Sequence, residues 1–294
     1  MTRPLLLPLL LLLLLPLPTQ AWNGAGHRLV AALAWAQLEA PAREQAVALL
    51  RRHPDQARWL RRQQEQDPDY GLFLEASTWP DDIRRDARFH DPDEPPTPLL
   101  PGFPHMQRQT HWHFQDEPGA GGRGEIDTRV ERLARELAEG DAQSRAYALP
   151  WLLHLVADLH QPLHTAGRGD RGGNGYTVEN PYNPRKPFMS LHAYWDELPG
   201  PPWLRGRHLE APLARLAALP APKQGDPARW LAEGRALVAG DGVYPATPGS
   251  LLPLVTPEFH ARARQISDQR LAAAGVRLGR WLNRLLVPRA AASR

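Results

Sequence analysis

Cysteine is absent from all 294 residues, so no disulfide can staple the chain even where an oxidising destination would permit one. No Asn-x-Ser/Thr triplet occurs, which leaves no acceptor for N-linked glycan. Stability must therefore come from packing and from bound metal. Lysine is nearly missing: Lys186 and Lys223 are the only two among 35 basic residues. The arginines that make up the rest suit phosphate contact without requiring it, and a net charge of +3 is too small to name a polyanionic partner by itself. After residue 21 no apolar run is long enough to span a bilayer.

What is present begins with a leader. Met1 to Ala21 has a positive start at Arg3, a leucine run, and small residues at Thr19-Gln20-Ala21. That is the pattern of a secretory signal cleaved after Ala21, and the prolines at 4, 8, 16 and 18 argue against a spanning helix. Residues 22–294 are then expected to form one domain that is periplasmic or secreted, soluble, monomeric and without stable membrane association.

The central stretch, His154-Leu-Val-Ala-Asp158-Leu-His-Gln-Pro-Leu-His164, carries the most chemistry. Leu149 to Leu163 reads as a buried helix, and side chains four apart project from one face about 6 Å apart along the axis. His154 and Asp158 therefore point the same way. In an apolar helix both carry a desolvation cost of roughly several kcal/mol unless paired, and a metal ion offsets both. Pro162 disrupts the helix and frees His164 to turn toward the same pocket. A buried His-Asp hydrogen bond with a chance third histidine is the alternative for this segment alone.

Elsewhere the pattern is helical. Trp22-Asn-Gly-Ala-Gly-His27 leads into an apolar stripe from Arg28 to Leu38; a free amine on Trp22 with its own carbonyl would make a chelating pair, although core packing of an N-terminal Trp is the plainer reading. Pro41 to Arg62 reads as one basic helix with a solvated face, and His53 on it as surface charge. Glu75 to Arg84 places Asp81, Asp82 and Arg84 after a Trp79-Pro turn, which also fits a helix start with acids at the positive dipole end. Asp91 to Pro104 is a proline-dense loop. In Thr110 to Asp116, His111, His113 and Gln115 share a face if the segment is extended and scatter if it is helical. A charged helix follows from Glu125 to Glu139, and a long loop from Thr165 to Ser190 precedes Leu191-His192-Ala-Tyr-Trp195-Asp196, a second His/Asp pair at helical spacing. Short helices at Pro212 to Leu219 and Pro227 to Ala239 and a long one from Glu258 to Leu286 complete a mainly α chain with no sheet pattern.

Two His-x-x-x-Asp pairs, a third histidine past a proline and a possible chelating N-terminus suit zinc, which binds N and O ligands at about 2.0 to 2.2 Å. With Trp22-x-x-x-Gly26-His27, Trp79-x-Asp81-x-x-Arg84, His113-Phe114-x-Asp116, His154-x-x-x-Asp158-x-x-Gln161-Pro162-Leu163-His164, Gly172-Gly173-Asn174 and Leu191-His192-x-x-Trp195-Asp196 in this order, the chain resembles the S1/P1 nucleases. These are zinc enzymes that cut single-stranded DNA and RNA and remove 3′-phosphates from nucleotides. The resemblance runs from Trp22 to Asn283 and implies a single compact domain of multiple helices with the fold shared by phospholipase C and P1 nuclease.

Position by position, the resemblance implies three Zn²⁺ ions. Asp81, His113, His154 and Asp158 would hold one, the amine and carbonyl of Trp22 with His27 and Asp158 a close neighbour, and His164, His192 and Asp196 the third. It further implies metal-assisted phosphodiester hydrolysis with 5′-phosphate products. Asp116 would orient or deprotonate the water, Arg84 would hold a phosphate oxygen, and Phe114 and Asn174 would contact the base. Phe114 reads equally well as ordinary core packing. A zinc-dependent phospholipase C is the nearest rival, disfavoured by Asp rather than Glu at position 196. A non-enzymatic periplasmic zinc-binding module is the other, and it leaves Arg84 and Asp116 without a role.

Overall fold

The computed structural model describes every residue except 1–21, 116–121, 123, 221, 247–251 and 288–294. The signal segment and Asp116 therefore lie outside the described residues. The first helix, α1 (Gly24–Gln37), is capped by the Asn23 side chain, which accepts from the N–H groups of Ala25 and Gly26. The single helix expected from Pro41 to Arg62 is instead two, α2 (Ala40–Leu50) and α3 (Gln56–Arg62). The turn between them contains Pro54, which cannot donate to a helical ladder. That turn carries His53 inward, correcting its reading as surface charge: the ring stacks on Trp59 at 4.6 Å and meets Trp79 and Phe103 edge-on.

Next come α4 (Pro68–Ala76) and α5 (Trp79–Asp82), then a 3-10 turn over Ile83–Arg85. A second 3-10 turn, Thr110–His113, replaces the extended segment considered above. As a result His113 is buried while His111 turns out toward Glu125 at 3.5 Å. The charged α6 (Ile126–Glu139) packs on α7 (Ala142–Asp158), which starts earlier than its apolar stripe because Asp141 caps it and the helix tolerates Pro150 inside. Every residue of α7 from Ala146 to Asp158 is buried. The helix ends at Asp158, and Pro162–His164 forms a 3-10 turn.

The long loop contains an antiparallel hairpin that alternation over three residues was too short to reveal: β1 (Thr177–Glu179) pairs with β2 (Phe188–Ser190), Val178 opposite Met189. Ser190 then caps α8 (Leu191–Glu197). Last come α9 (Arg207–Ala217), α10 (Pro227–Ala239) and the 30-residue α11 (Pro257–Leu286), against which α1 lies. The mainly α, one-core architecture expected from the sequence is what the structure has: all the large buried apolar side chains join one cluster. Among the described residues no helix is long and apolar enough to cross a membrane.

Candidate metal centre

His154 and Asp158, one turn apart on α7, are both fully buried. His154 Nδ1 donates to the Ser77 carbonyl at 2.8 Å, which leaves Nε2 to face Asp158 Oδ2 at 3.2 Å and Asp81 Oδ1 at 3.8 Å. From α1, His27 stacks flat on His154 with centroids 3.7 Å apart and sets Nε2 3.4 Å from Asp158 Oδ1. From the 3-10 turn, His113 sets Nδ1 3.0 Å from Asp158 Oδ2. The two oxygens of Asp158 thus face different partners, Oδ1 toward His27 and Oδ2 toward His113 and His154. Asp81 completes this first cluster, with Oδ2 3.9 Å from His27 Nε2.

Each member is held by its own packing. The Trp79 indole N–H donates to Asp55 at 2.8 Å, and Asp55 is clamped by Arg88, so α5 presents Asp81 from a fixed base. Gly26 lets Trp22 fold back onto α1, because a Cβ there would come within 2.7 Å of the Trp22 Cβ. Asn23 N–H donates to the Asp196 carbonyl at 3.2 Å, which ties the Trp22 end of α1 to α8.

The second cluster joins His164, His192 and Asp196. His164 Nδ1 donates to the His113 carbonyl at 2.5 Å, and His192 Nδ1 to the Gly172 carbonyl at 2.7 Å. As neutral imidazoles both then turn bare Nε2 lone pairs on each other, 3.0 Å apart, with Asp196 Oδ2 3.5 Å from His192 Nε2. Two imidazole nitrogens and a carboxylate oxygen converge there, a donor set that a cation would suit. Gly172 has φ of +62°, and a Cβ there would collide with the Leu163 carbonyl at 2.4 Å, so the Gly-Gly-Asn run is what brings its carbonyl to His192.

Whether a metal fits is tested by what is left unsatisfied. His27 Nδ1 and Nε2, His113 Nε2, Asp81 Oδ1 and Asp158 Oδ1 are buried without a hydrogen-bond partner. Burial pushes the carboxyls of Asp158 and Asp196 well above the ordinary range and that of Asp81 up to about 6. Burial also holds His27, His113 and His164 well below the usual imidazole value, and His154 down to about 4. Neither acids nor imidazoles are comfortable charged in the bare pocket, and nitrogen and oxygen donors at this spacing fit divalent zinc. Ligand atoms from His27, His154 and Asp158, from Asp81, His113 and His154, and from His164, His192 and Asp196 lie within 4.8 Å of one another in each group.

Arg84 brings a fixed positive charge, its Nε 3.4 Å from Asp81 Oδ1. Phe114, extended and half-buried, directly follows His113; its carbonyl accepts from Ile126 N–H at 3.1 Å. Asn174 is half-buried, donates to the Arg171 carbonyl at 2.8 Å and lies 3.4 Å from His192 Nδ1, at the rim of the second cluster. Trp22 is buried beside α8. Sequence reasoning missed the supports: Ser77, Gly172 and Gln161 act through backbone or amide groups, and the last two lay inside the quoted motifs without a role. Two surface cavities of about 410 and 470 Å³, one beside Trp230 and Trp281 and one beside Arg168 and Tyr244, contain no cluster residue.

Comparison with known proteins points the same way. Endonuclease 4 of Arabidopsis thaliana is 30% identical over 156 residues, covering 47% of this chain and 50% of its own length. Endonuclease 2 of the same plant is 26% identical over 181 residues, covering 60% and 54%. The chain thus spans about half the length of the curated relatives it matches. The family described as S1/P1 Nuclease matches residues 22–287, which takes in both clusters, and by that match the chain belongs to the S1/P1 nuclease family.

Proposed function

We propose that this protein is an exported, zinc-dependent phosphodiesterase that hydrolyses single-stranded DNA and RNA to 5′-phosphorylated products and removes 3′-phosphates from nucleotides. The observation that carries this reading is Asp158, whose two oxygens face His27 on one side and His113 with His154 on the other, so that one carboxylate would be able to serve two ions. Asp81, His113, His154 and Asp158 would hold one ion, and His164, His192 and Asp196 another. His27, Asp158 and the amine and carbonyl of Trp22 would hold the third, after cleavage at Ala21 frees that amine. When bound, such ions supply Lewis acidity, drawing charge from a phosphoryl oxygen and easing deprotonation of a nearby water.

The chain's own groups do the rest. Arg84 pairs with a non-bridging phosphate oxygen as negative charge grows there. Asp116 accepts the proton of the attacking water at a carboxylate oxygen. Phe114 stacks on an unpaired base, worth about 1 to 3 kcal/mol and indifferent to sequence, which accounts for a single-strand requirement. Asn174 reaches the base edge from the Gly-Gly-Asn loop.

Protein beginning at Trp22, assayed on single-stranded DNA and on short-chain phosphatidylcholine with and without chelator, tests this. Chelator-sensitive cleavage of DNA alone is the expected result. Cleavage of the lipid alone reassigns the chain to the phospholipase C reaction, and zinc binding without either activity makes it a metal-holding module. One extra residue before Trp22 turns its amine into an amide with no lone pair to give, so that form should lose one ion and most of its activity. Full activity from it contradicts the assignment of Trp22.

A further inference from the structure

The seven residues from Asp158 to His164 begin and end on cluster residues, and among those between them Gln161, although inside the quoted motif, was given no role. It is fully buried at the turn between α7 and the Pro162 3-10 turn. Both halves of its amide are used: Oε1 accepts from Leu163 N–H at 2.6 Å, and Nε2 donates to Asp196 Oδ1 at 3.0 Å. The first bond caps the turn that carries His164. The second reaches another helix, α8, and occupies one oxygen of Asp196, leaving Oδ2 as the oxygen that faces His192. A cap alone needs no such reach: Asn23 caps α1 with a side chain one methylene shorter, accepting from Ala25 two residues ahead at 2.9 Å.

We propose that Gln161 is the positioning residue of the second cluster, fixing the Asp196 carboxylate relative to His164 so that a divalent ion binds there. This rests on the reading that the cluster holds metal. The backbone beside it is anchored independently, since Arg270 Nε donates to the His160 carbonyl at 3.0 Å, His160 Nδ1 to the Val156 carbonyl at 2.8 Å, and Arg277 Nη1 lies 3.0 Å from His160 Nε2. Loss of the Gln161 amide therefore leaves the turn in place and frees the carboxylate.

The experiment is zinc content of chain beginning at Trp22, measured against increasing chelator, for wild type, Gln161→Met and Gln161→Asn, with thermal unfolding in parallel. Methionine removes both bonds; asparagine can keep the cap but falls short of Asp196. Both variants should release one ion at roughly 10- to 100-fold lower chelator than wild type, keep the other two, and unfold near the wild-type temperature. Three ions held by both variants at wild-type chelator concentrations overturns the inference alone. Wild-type behaviour of Gln161→Asn beside failure of Gln161→Met reduces the residue to a cap. Loss of all three ions with a collapsed unfolding temperature makes it structural. A wild-type chain that holds no zinc overturns the metal reading, and this inference with it.

Discussion

Two kinds of buried charge lie side by side in this fold. Around Glu75, the guanidiniums of Arg28, Arg62 and Arg205 all close on one carboxylate that is 1% exposed. Around the half-buried Glu233, the buried guanidiniums of Arg270 and Arg277 do the same. Around Asp158, three imidazoles approach and none of them brings a charge. Burial raises all of these carboxyls, but the arginines reverse it at Glu75, which falls to about 2, and at Glu233, which falls below its ordinary value. At Asp158 and Asp196 burial outweighs the more distant charge of Arg84, and both stay well above theirs. The first kind is matched by charge within the chain and serves stability; the second has the donors that the proposed metal centre would use.

The sharpest way to break that contrast is to neutralise its centre. Asp158→Asn should lower zinc from three ions to one and reduce activity by roughly 10⁴-fold or more, since several kcal/mol of charge stabilisation leave with the pair of ions. Elemental analysis and turnover on single-stranded DNA measure both. Asp116→Asn should keep all three ions and lose roughly 10²- to 10⁴-fold in turnover; loss of zinc would make Asp116 a ligand instead of a base. On the other side of the comparison, Glu75→Gln takes the carboxylate from Arg28 and Arg205, while Arg62 keeps Asp82, and should cost about 3 to 5 kcal/mol in denaturant unfolding while zinc content at saturating metal stays at three. If zinc falls with it, the two kinds of site are not separate. Phe114→Ala should raise KM for single-stranded DNA by roughly 5- to 100-fold, the worth of one stacked base, with little change in zinc.

The smallest effect is in pH. The folded value of Glu75 lies below its ordinary 4.5, so its stabilisation is full above that value and is lost as pH falls from about 4.5 toward 2. The stability gap between wild type and Glu75→Gln should therefore narrow between pH 5 and pH 3, on the order of the scale set by that shift. His53 acts in the same direction from a higher start: burial lowers it to about 3, so protons destabilise the fold progressively below about 6.5. An acid unfolding curve of His53→Phe should show a smaller early component than wild type, the remainder coming from other buried imidazoles such as His160.

Some of this was legible in the chain and some was not. The i, i+4 spacing of His154 with Asp158 and of His192 with Asp196 reads directly, because helical geometry is local. The same holds for Pro162 breaking the helix and for the mainly α class. His53 was misread because a basic helix with a turn hidden inside looks like a solvated face, and only packing shows which way the turn folds. The hairpin at 177–190 was too short for alternation to register. His111 and His113 could not be separated from spacing alone, since a 3-10 turn and a strand place them differently.

The residues that can bind metal, their order and their helical pairing were determined by the sequence, because each is a property of a short segment. That Asp81, His113 and His27 meet around Asp158 was decided by tertiary structure alone, since these groups come from segments dozens of residues apart and only core packing brings them together. The same packing set three imidazoles against Asp158 and three guanidiniums against Glu75. No local pattern encodes which buried carboxylate the fold will leave for an ion.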